Sequence, residues 1–126
     1  MIVGTGVDLC EIARMRHAVD SNHGARFVER VFTVREIAYS RKKASPYERF
    51  AARFAAKEAG MKALGTGWRG GITWHDFEVT NLPSGRPTLT LHGRAAEIAE
   101  KMNVRNIALS ITHTADQAMA MVIFED

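Results

Sequence analysis

Residues 46–65 read PYERFAARFAAKEAGMKALG, and the fold is decided there. Ser45 followed by Glu48 has capping-box spacing, Pro46 suits a first helical position, and Gly65 is the usual left-handed stop. The spacing predicts one long helix from Pro46 to about Leu64. Phe50, Phe54 and Met61 give it bulk, while Ala51, Ala52, Ala55, Ala56, Ala59 and Ala63 keep much of its surface low. A helix so trimmed can lie close against a sheet. Gly60 in its interior costs about 1 kcal/mol relative to alanine, so it calls for a packing or functional reason.

Upstream, Val3, Thr5, Val7 and Leu9 alternate with Gly4, Gly6 and Asp8. That is a strand with one face stripped of side chains up to Asp8, where something approaches the backbone closely. Asp8 with Glu11 then has the spacing to open a helix carrying Ile12, Met15 and Val19. After the break at Ser21–Gly24, residues Ala25 to Phe32 suggest another turn or two, and Thr33 with Glu36 opens a short helix. Downstream, strands are expected at Ile72–Trp74, Phe77–Thr80 and Thr88–Leu91, the last two across a turn at Pro83-Ser84-Gly85. A helix from Gly93 to about Met102 precedes a closing hairpin of Ile107–His113 and Ala118–Phe124. Elements mixed in this order imply an α+β fold, an antiparallel sheet packed against one long helix and several short ones.

The chain has 126 residues, 46% hydrophobic and 25% charged, with no repeat and no linker, which suits one domain over 1–126 and excludes a disordered chain. Cys10 is the only cysteine, so no internal disulfide forms and a reducing, cytoplasmic compartment is expected. No apolar run approaches the roughly 20 residues of a membrane span, and the first residues lack a signal-peptide pattern. The net charge is +3, with Arg14, Arg16, Arg26, Arg30, Arg35, Arg41, Lys42 and Lys43 crowded into the first third. Such a surface suits acidic proteins, phosphorylated small molecules or nucleic acid.

Several residues carry two readings. Asp8 is either a helix cap or a carboxylate metal ligand beside glycines that leave room for a substrate. Glu58 and Lys62 are spaced to pair along the helix, as are Arg53 and Lys57 to lie side by side. They make either an exposed stabilising face or, on a packed helix, a Mg²⁺–phosphate site in which carboxylate takes metal and cations take phosphate. Gly65-Thr66-Gly67 is a plain cap and loop or a place where backbone meets a phosphate. His113 ends a strand. His17, His23, His75 and His92 lack zinc spacing, and no Walker A loop or nucleophile elbow is present.

Taken together, Gly4-Thr5-Gly6-Val7-Asp8 with Glu11 and Arg14, the block Phe50 to Ala59 with Lys62-Ala63 and Gly65-Thr66-Gly67, and Ser110-Ile111-Thr112-His113 resemble the holo-[acyl-carrier-protein] synthases. These are the small, bacterial type of 4'-phosphopantetheinyl transferase. Gly71 to Asp76 and Gly85-Arg86-Pro87 extend the likeness nearly end to end. The resemblance implies transfer of phosphopantetheine from coenzyme A to a serine of apo acyl carrier protein, leaving adenosine 3',5'-bisphosphate. It also implies Mg²⁺ dependence, a homotrimer with active sites between subunits, and a place in fatty acid synthesis. Carried over by residue, Asp8 and Glu58 resemble the metal ligands and Lys62 the cation on the pyrophosphate. Arg53 and His113 resemble residues that hold coenzyme A phosphates, Gly65 and Thr66 the lining of the nucleotide site. Arg14, Arg26 and Phe27, with Arg30 beside them, resemble the docking surface for acidic carrier protein. Glu58, directly or through a water on the metal, is the candidate base for the serine. Another Mg²⁺–nucleotide phosphotransferase and a non-enzymatic basic module for acidic proteins or nucleic acid are the competing readings.

Overall fold

The computed structural model describes residues 1–126. In chain order these form β1 (Ile2–Glu11), α1 (Ile12–Asp20), α2 (Gly24–Val31), α3 (Val34–Ser40), α4 (Tyr47–Leu64), a 3₁₀ turn (Trp74–Asp76), β2 (Phe77–Asn81), β3 (Pro87–Leu91), α5 (Gly93–Lys101), β4 (Asn106–His113) and β5 (Gln117–Glu125). An antiparallel sheet in the order β1-β5-β4 and a separate hairpin β2-β3 result. The α+β architecture is the expected one.

What positions everything else is the seat of α4. On β1 the inward residues are Gly4, Gly6, Asp8 and Cys10, and on β5 they are Ala118, Ala120, Val122 and Phe124. A Cβ added at Gly4 would overlap the Ala63 carbonyl, and one at Gly6 the Ala59 carbonyl. The glycine face is therefore filled by the helix itself and leaves no room there for a substrate. Gly60 faces the other layer: a Cβ there would stand 2.9 Å from Leu89 and 3.0 Å from Phe77 of the hairpin. That is the packing reason for a glycine in mid-helix. The core continues through Phe50, which meets Phe32 with ring centroids 4.8 Å apart.

Between α4 and the hairpin lies an ion pair shut off from water. Lys57 Nζ is 2.8 Å from Glu36 Oε1, both side chains have no exposed surface, and the ammonium also donates to the carbonyls of Trp74 and Phe77. Burial pulls the Lys57 pKa below the lysine range, and Glu36 opposes that pull. Glu36 also accepts from Val79 N at 2.7 Å and closes a capping box with Thr33. A single carboxylate thus starts α3, pairs α4 and fixes β2. Removing one partner of such a pair costs about 3–5 kcal/mol.

Four local expectations are corrected. Asp8 does not cap a helix: β1 runs on to Glu11, paired with β5 as far as Gln117, and α1 begins at Ile12 with no side-chain cap. The strand ladder outweighs the cap because it satisfies several backbone groups at once. α4 begins at Tyr47, with Pro46 at the cap position and no side-chain cap from Ser45. Ile72–Trp74 is not a strand; the chain instead turns through Trp74–Asp76, where Thr73 Oγ1 donates to Asp76 Oδ1 at 3.0 Å. Lastly, Arg53 and Lys57 are buried rather than part of an exposed face. Thr33 with Glu36 does form the expected capping box, and Gly65 ends α4 at φ 81°.

Gly6→Ala is expected to lower stability by about 3 kcal/mol, because strand and helix backbones must part. Thr5→Ala, on the outer face, should change it by less than about 0.5 kcal/mol. Urea midpoints measure both, and equal midpoints for the two variants contradict the close contact.

Candidate functional site

The seat of α4 brings its Glu58 and Lys62 to the strand residue Asp8. Asp8 pairs with Ala120 in the sheet and turns its side chain inward, just past the two glycines. Lys62 Nζ reaches across to Asp8 Oδ1 at 2.7 Å and donates to the Val7 carbonyl at 3.1 Å. Lys62 thus pairs with a residue 54 positions away, not with its helical neighbour Glu58. The hydrogen bond to Asp8 raises the Lys62 pKa, so this ammonium stays charged.

Glu58 is half-buried. Burial, and then the negative charge of Asp8, lift its carboxyl above the usual glutamate range, while Lys62 opposes the lift. Two carboxylates that repel each other beside one cation form a place where additional positive charge would be welcome. No third histidine, cysteine or carboxylate joins them into a closed ligand set. Two hard oxygen donors with open positions fit Mg²⁺, which keeps waters and takes substrate phosphates for the remainder. Cys10, next on the same strand face, is no nucleophile: burial, and then Asp8, push its thiol up to about 11.

Gly65 follows Lys62 by three residues, and its N–H donates to the Met61 and Lys62 carbonyls. Gly65 and Gly67 both take left-handed conformations, and Thr66 Oγ1 donates to the Gly67 carbonyl at 3.0 Å. The Gly65-Thr66 backbone therefore leaves the helix immediately beyond the cluster. On the other side, Leu9, Cys10, Arg14, Met15, Phe27 and Phe54 line a groove of about 440 Å³. Arg14 and Phe27 meet there from α1 and α2, and Arg26 is exposed next to Phe27.

Two of the expected phosphate residues lie elsewhere. Arg53 is 4% exposed; its guanidinium covers the Tyr39 ring at 3.9 Å and donates to Asn81 Oδ1 at 2.7 Å. It ties α3, α4 and the hairpin together, with its guanidinium engaged inside the protein. His113, at the far end of β4, is half-exposed and stands 3.3 Å from Glu48 in the first turn of α4. Glu58 lies ten helical residues further on, about 15 Å of rise.

The family model described as the 4'-phosphopantetheinyl transferase superfamily matches residues 4–122. The chain belongs to that superfamily. Among these transferases, the holo-[acyl-carrier-protein] synthase of Solibacter usitatus is 61% identical over 126 residues, covering all of both chains. The crystal structure of the Neisseria meningitidis holo-[acyl-carrier-protein] synthase superposes with a TM-score of 0.88 at 30% identity, again over 100% of each chain. The Helicobacter pylori enzyme, solved in complex with coenzyme A, gives 0.83 at 30% identity, over 96% of this chain and 99% of its own. The fold expected of a phosphopantetheinyl transferase is the fold observed.

Sequence reasoning missed two features of this transferase. The Glu36–Lys57 pair gave no local signal, since 21 residues separate its members. The contact of Trp68 with Trp74, ring centroids 4.2 Å apart, likewise has no local signal: one tryptophan sits inside the glycine-rich loop and the other just beyond it.

Asp8→Asn is expected to bring the Glu58 pKa down toward the ordinary glutamate value by removing repulsion. Lys62→Met should move it further up by removing attraction. Carboxyl-carbon NMR titration of Glu58 reads both signs, and a Glu58 pKa indifferent to Asp8 contradicts the cluster.

Proposed function

We propose that this chain transfers 4'-phosphopantetheine from coenzyme A to a serine of apo acyl carrier protein, releasing adenosine 3',5'-bisphosphate. The convergence of Asp8, Glu58 and Lys62 carries the reading, because it joins two carboxylates and a charged ammonium at one place. A pyrophosphate ester needs those groups and little else.

Asp8 and Glu58 would hold Mg²⁺, which when bound would supply positive charge against the pyrophosphate. Lys62, charged and half-exposed, exchanges Asp8 for the pyrophosphate oxygens and meets the charge that grows on the leaving group. The Gly65-Thr66 backbone lines the nucleotide side. The carrier serine hydroxyl attacks the phosphorus bearing pantetheine, the P–O bond to adenosine 3',5'-bisphosphate breaks, and the hydroxyl proton passes to Glu58.

Arg14 and Arg26 orient the acidic carrier, and Phe27 with the groove floor gives it apolar footing. The outer face of the sheet supports a homotrimer: Val7, Leu9, Met119 and Met121 are exposed there, with Val7 opposite Met121 and Leu9 opposite Met119. Apolar patches of this kind mark contact surfaces. With active sites between subunits, His113 serves a neighbouring copy and holds a coenzyme A phosphate. No helix is long and apolar enough to cross a membrane, and the 126 residues act as one cytoplasmic domain in fatty acid synthesis.

Asp8→Ala and Glu58→Ala are expected to lower transfer by about a thousandfold or more, with thermal midpoints little changed. The mass of the carrier after incubation with coenzyme A and Mg²⁺ is the readout, and full transfer by either variant defeats the assignment. Arg14→Glu and Arg26→Glu should raise KM for the carrier at least tenfold and leave KM for coenzyme A alone, about 1.4 kcal/mol of selective loss. An equal rise on both substrates removes the docking role. Light scattering should give three times the 14.0 kDa chain mass, and a monomer active at the same concentration would contradict shared sites.

A further inference from the structure

The loop from Gly65 to Gly71 is unusual in how little holds it. Gly65, Gly67, Gly70 and Gly71 have φ of 81°, 65°, 69° and 85°. Glycine backbones lose more freedom on ordering than any other residue. Added Cβ atoms at Gly65, Gly67 and Gly70 would meet nothing within 4 Å, so the backbone stands away from the body. Its hydrogen bonds outside the helix cap are sparse: Arg94 Nε donates to the Gly70 carbonyl at 3.2 Å, Ile72 N to the Arg69 carbonyl at 3.4 Å, and Thr66 Oγ1 to the Gly67 carbonyl within the loop.

Trp68 supplies the apolar anchor. Its ring centroid is 4.2 Å from that of Trp74 and 5.7 Å, edge to face, from Phe77. Trp74 is itself fixed on two sides. Its ring stacks on Phe54 at 5.1 Å, and its carbonyl accepts from the buried Lys57 ammonium at 3.0 Å. Phe54 precedes Glu58 by one helical turn. The loop is thus fastened through Trp68 to the same part of α4 that presents Glu58 and Lys62.

We infer that Trp68 is a positioning residue whose tilted ring contact with Trp74 holds the Gly65–Gly71 backbone in the form that receives the nucleotide end of coenzyme A. It sets affinity for that substrate without touching the reacting phosphorus. The inference rests on the Asp8–Glu58–Lys62 cluster being the pyrophosphate site. Without the indole, a segment so rich in glycine samples many conformations, and apparent affinity falls by the fraction that remains competent.

Steady-state transfer and calorimetric binding of coenzyme A test this on the full chain. Trp68→Ala should raise both KM and Kd for coenzyme A about tenfold, as for a loop competent about a tenth of the time. The carrier KM, and kcat at saturating coenzyme A, should move less than about twofold. Trp68→Phe keeps an aromatic ring and should restore the affinity. Unchanged coenzyme A affinity in Trp68→Ala overturns the inference, as does a uniform loss in kcat and both KM values that follows the fall in Tm. If Trp68→Ala does not fold, Trp68→Leu decides by the same ratio. Failure here leaves wild-type transfer and its loss in Glu58→Ala intact, whereas a wild type that does not bind coenzyme A overturns the reading of the cluster itself.

Discussion

Gly4 and Gly6 of β1 lie directly against the Ala63 and Ala59 carbonyls of α4, and the rest of the molecule is arranged around that contact. The spacings agree: two strand residues advance about 6.6 Å and four helical residues about 6 Å. Each glycine therefore meets one turn of the helix, and the strand runs down α4 in step. Any Cβ on this strip would push the two backbones apart. The next inward residue, Asp8, is the first to carry a charged side chain, and it arrives beside Glu58 and Lys62, which precede Ala59 and Ala63 in the helix by one residue. The three groups of the candidate site are placed by the packing contact, not by any local motif.

Charge is handled in opposite ways on the two sides of α4. Toward the hairpin, Lys57 and Glu36 pair in the dry interior and are completed by the Trp74 and Phe77 carbonyls and the Val79 and Thr33 N–H groups, which fixes α3, α4 and β2 in one arrangement. Toward the sheet edge, the Lys62 ammonium pairs with Asp8 alone, and Glu58 is held above its ordinary pKa by burial and by its neighbour Asp8. A satisfied buried pair gives rigidity; an under-compensated pair of carboxylates gives a place for a cation. The adjacent residues Lys57 and Glu58 belong to these two different regimes because successive helical positions point about 100° apart.

Much of the chain could be read locally. The long helix, its stop at Gly65, the Thr33–Glu36 capping box, the β2-β3 hairpin and the closing β4-β5 hairpin all follow from spacing, capping and turn chemistry. Where local reading failed, a non-local term outweighed it. Asp8 with Glu11 has cap spacing, yet pairing with β5 keeps the strand extended to Glu11. Arg53 with Lys57 looks like an exposed cationic face, yet the hairpin and α3 cover both. The stripped glycine face of β1, by contrast, is approached closely as its sequence implies, and the approaching group is the helix backbone, with Val7 and Leu9 left outside.

By itself the sequence determined the inventory: which residues are helical, which strand lacks side chains on one face, and which carboxylates, cations and glycines are available. It also carried the family resemblance, since that depends on residues in order. Only the tertiary structure decided their company, joining Lys62 to Asp8 rather than Glu58, Lys57 to Glu36, and Trp68 to Trp74. The reason is physical. Periodicity and capping report forces that act within a few residues, whereas the partner of a buried charge or an aromatic ring is chosen by how distant segments pack.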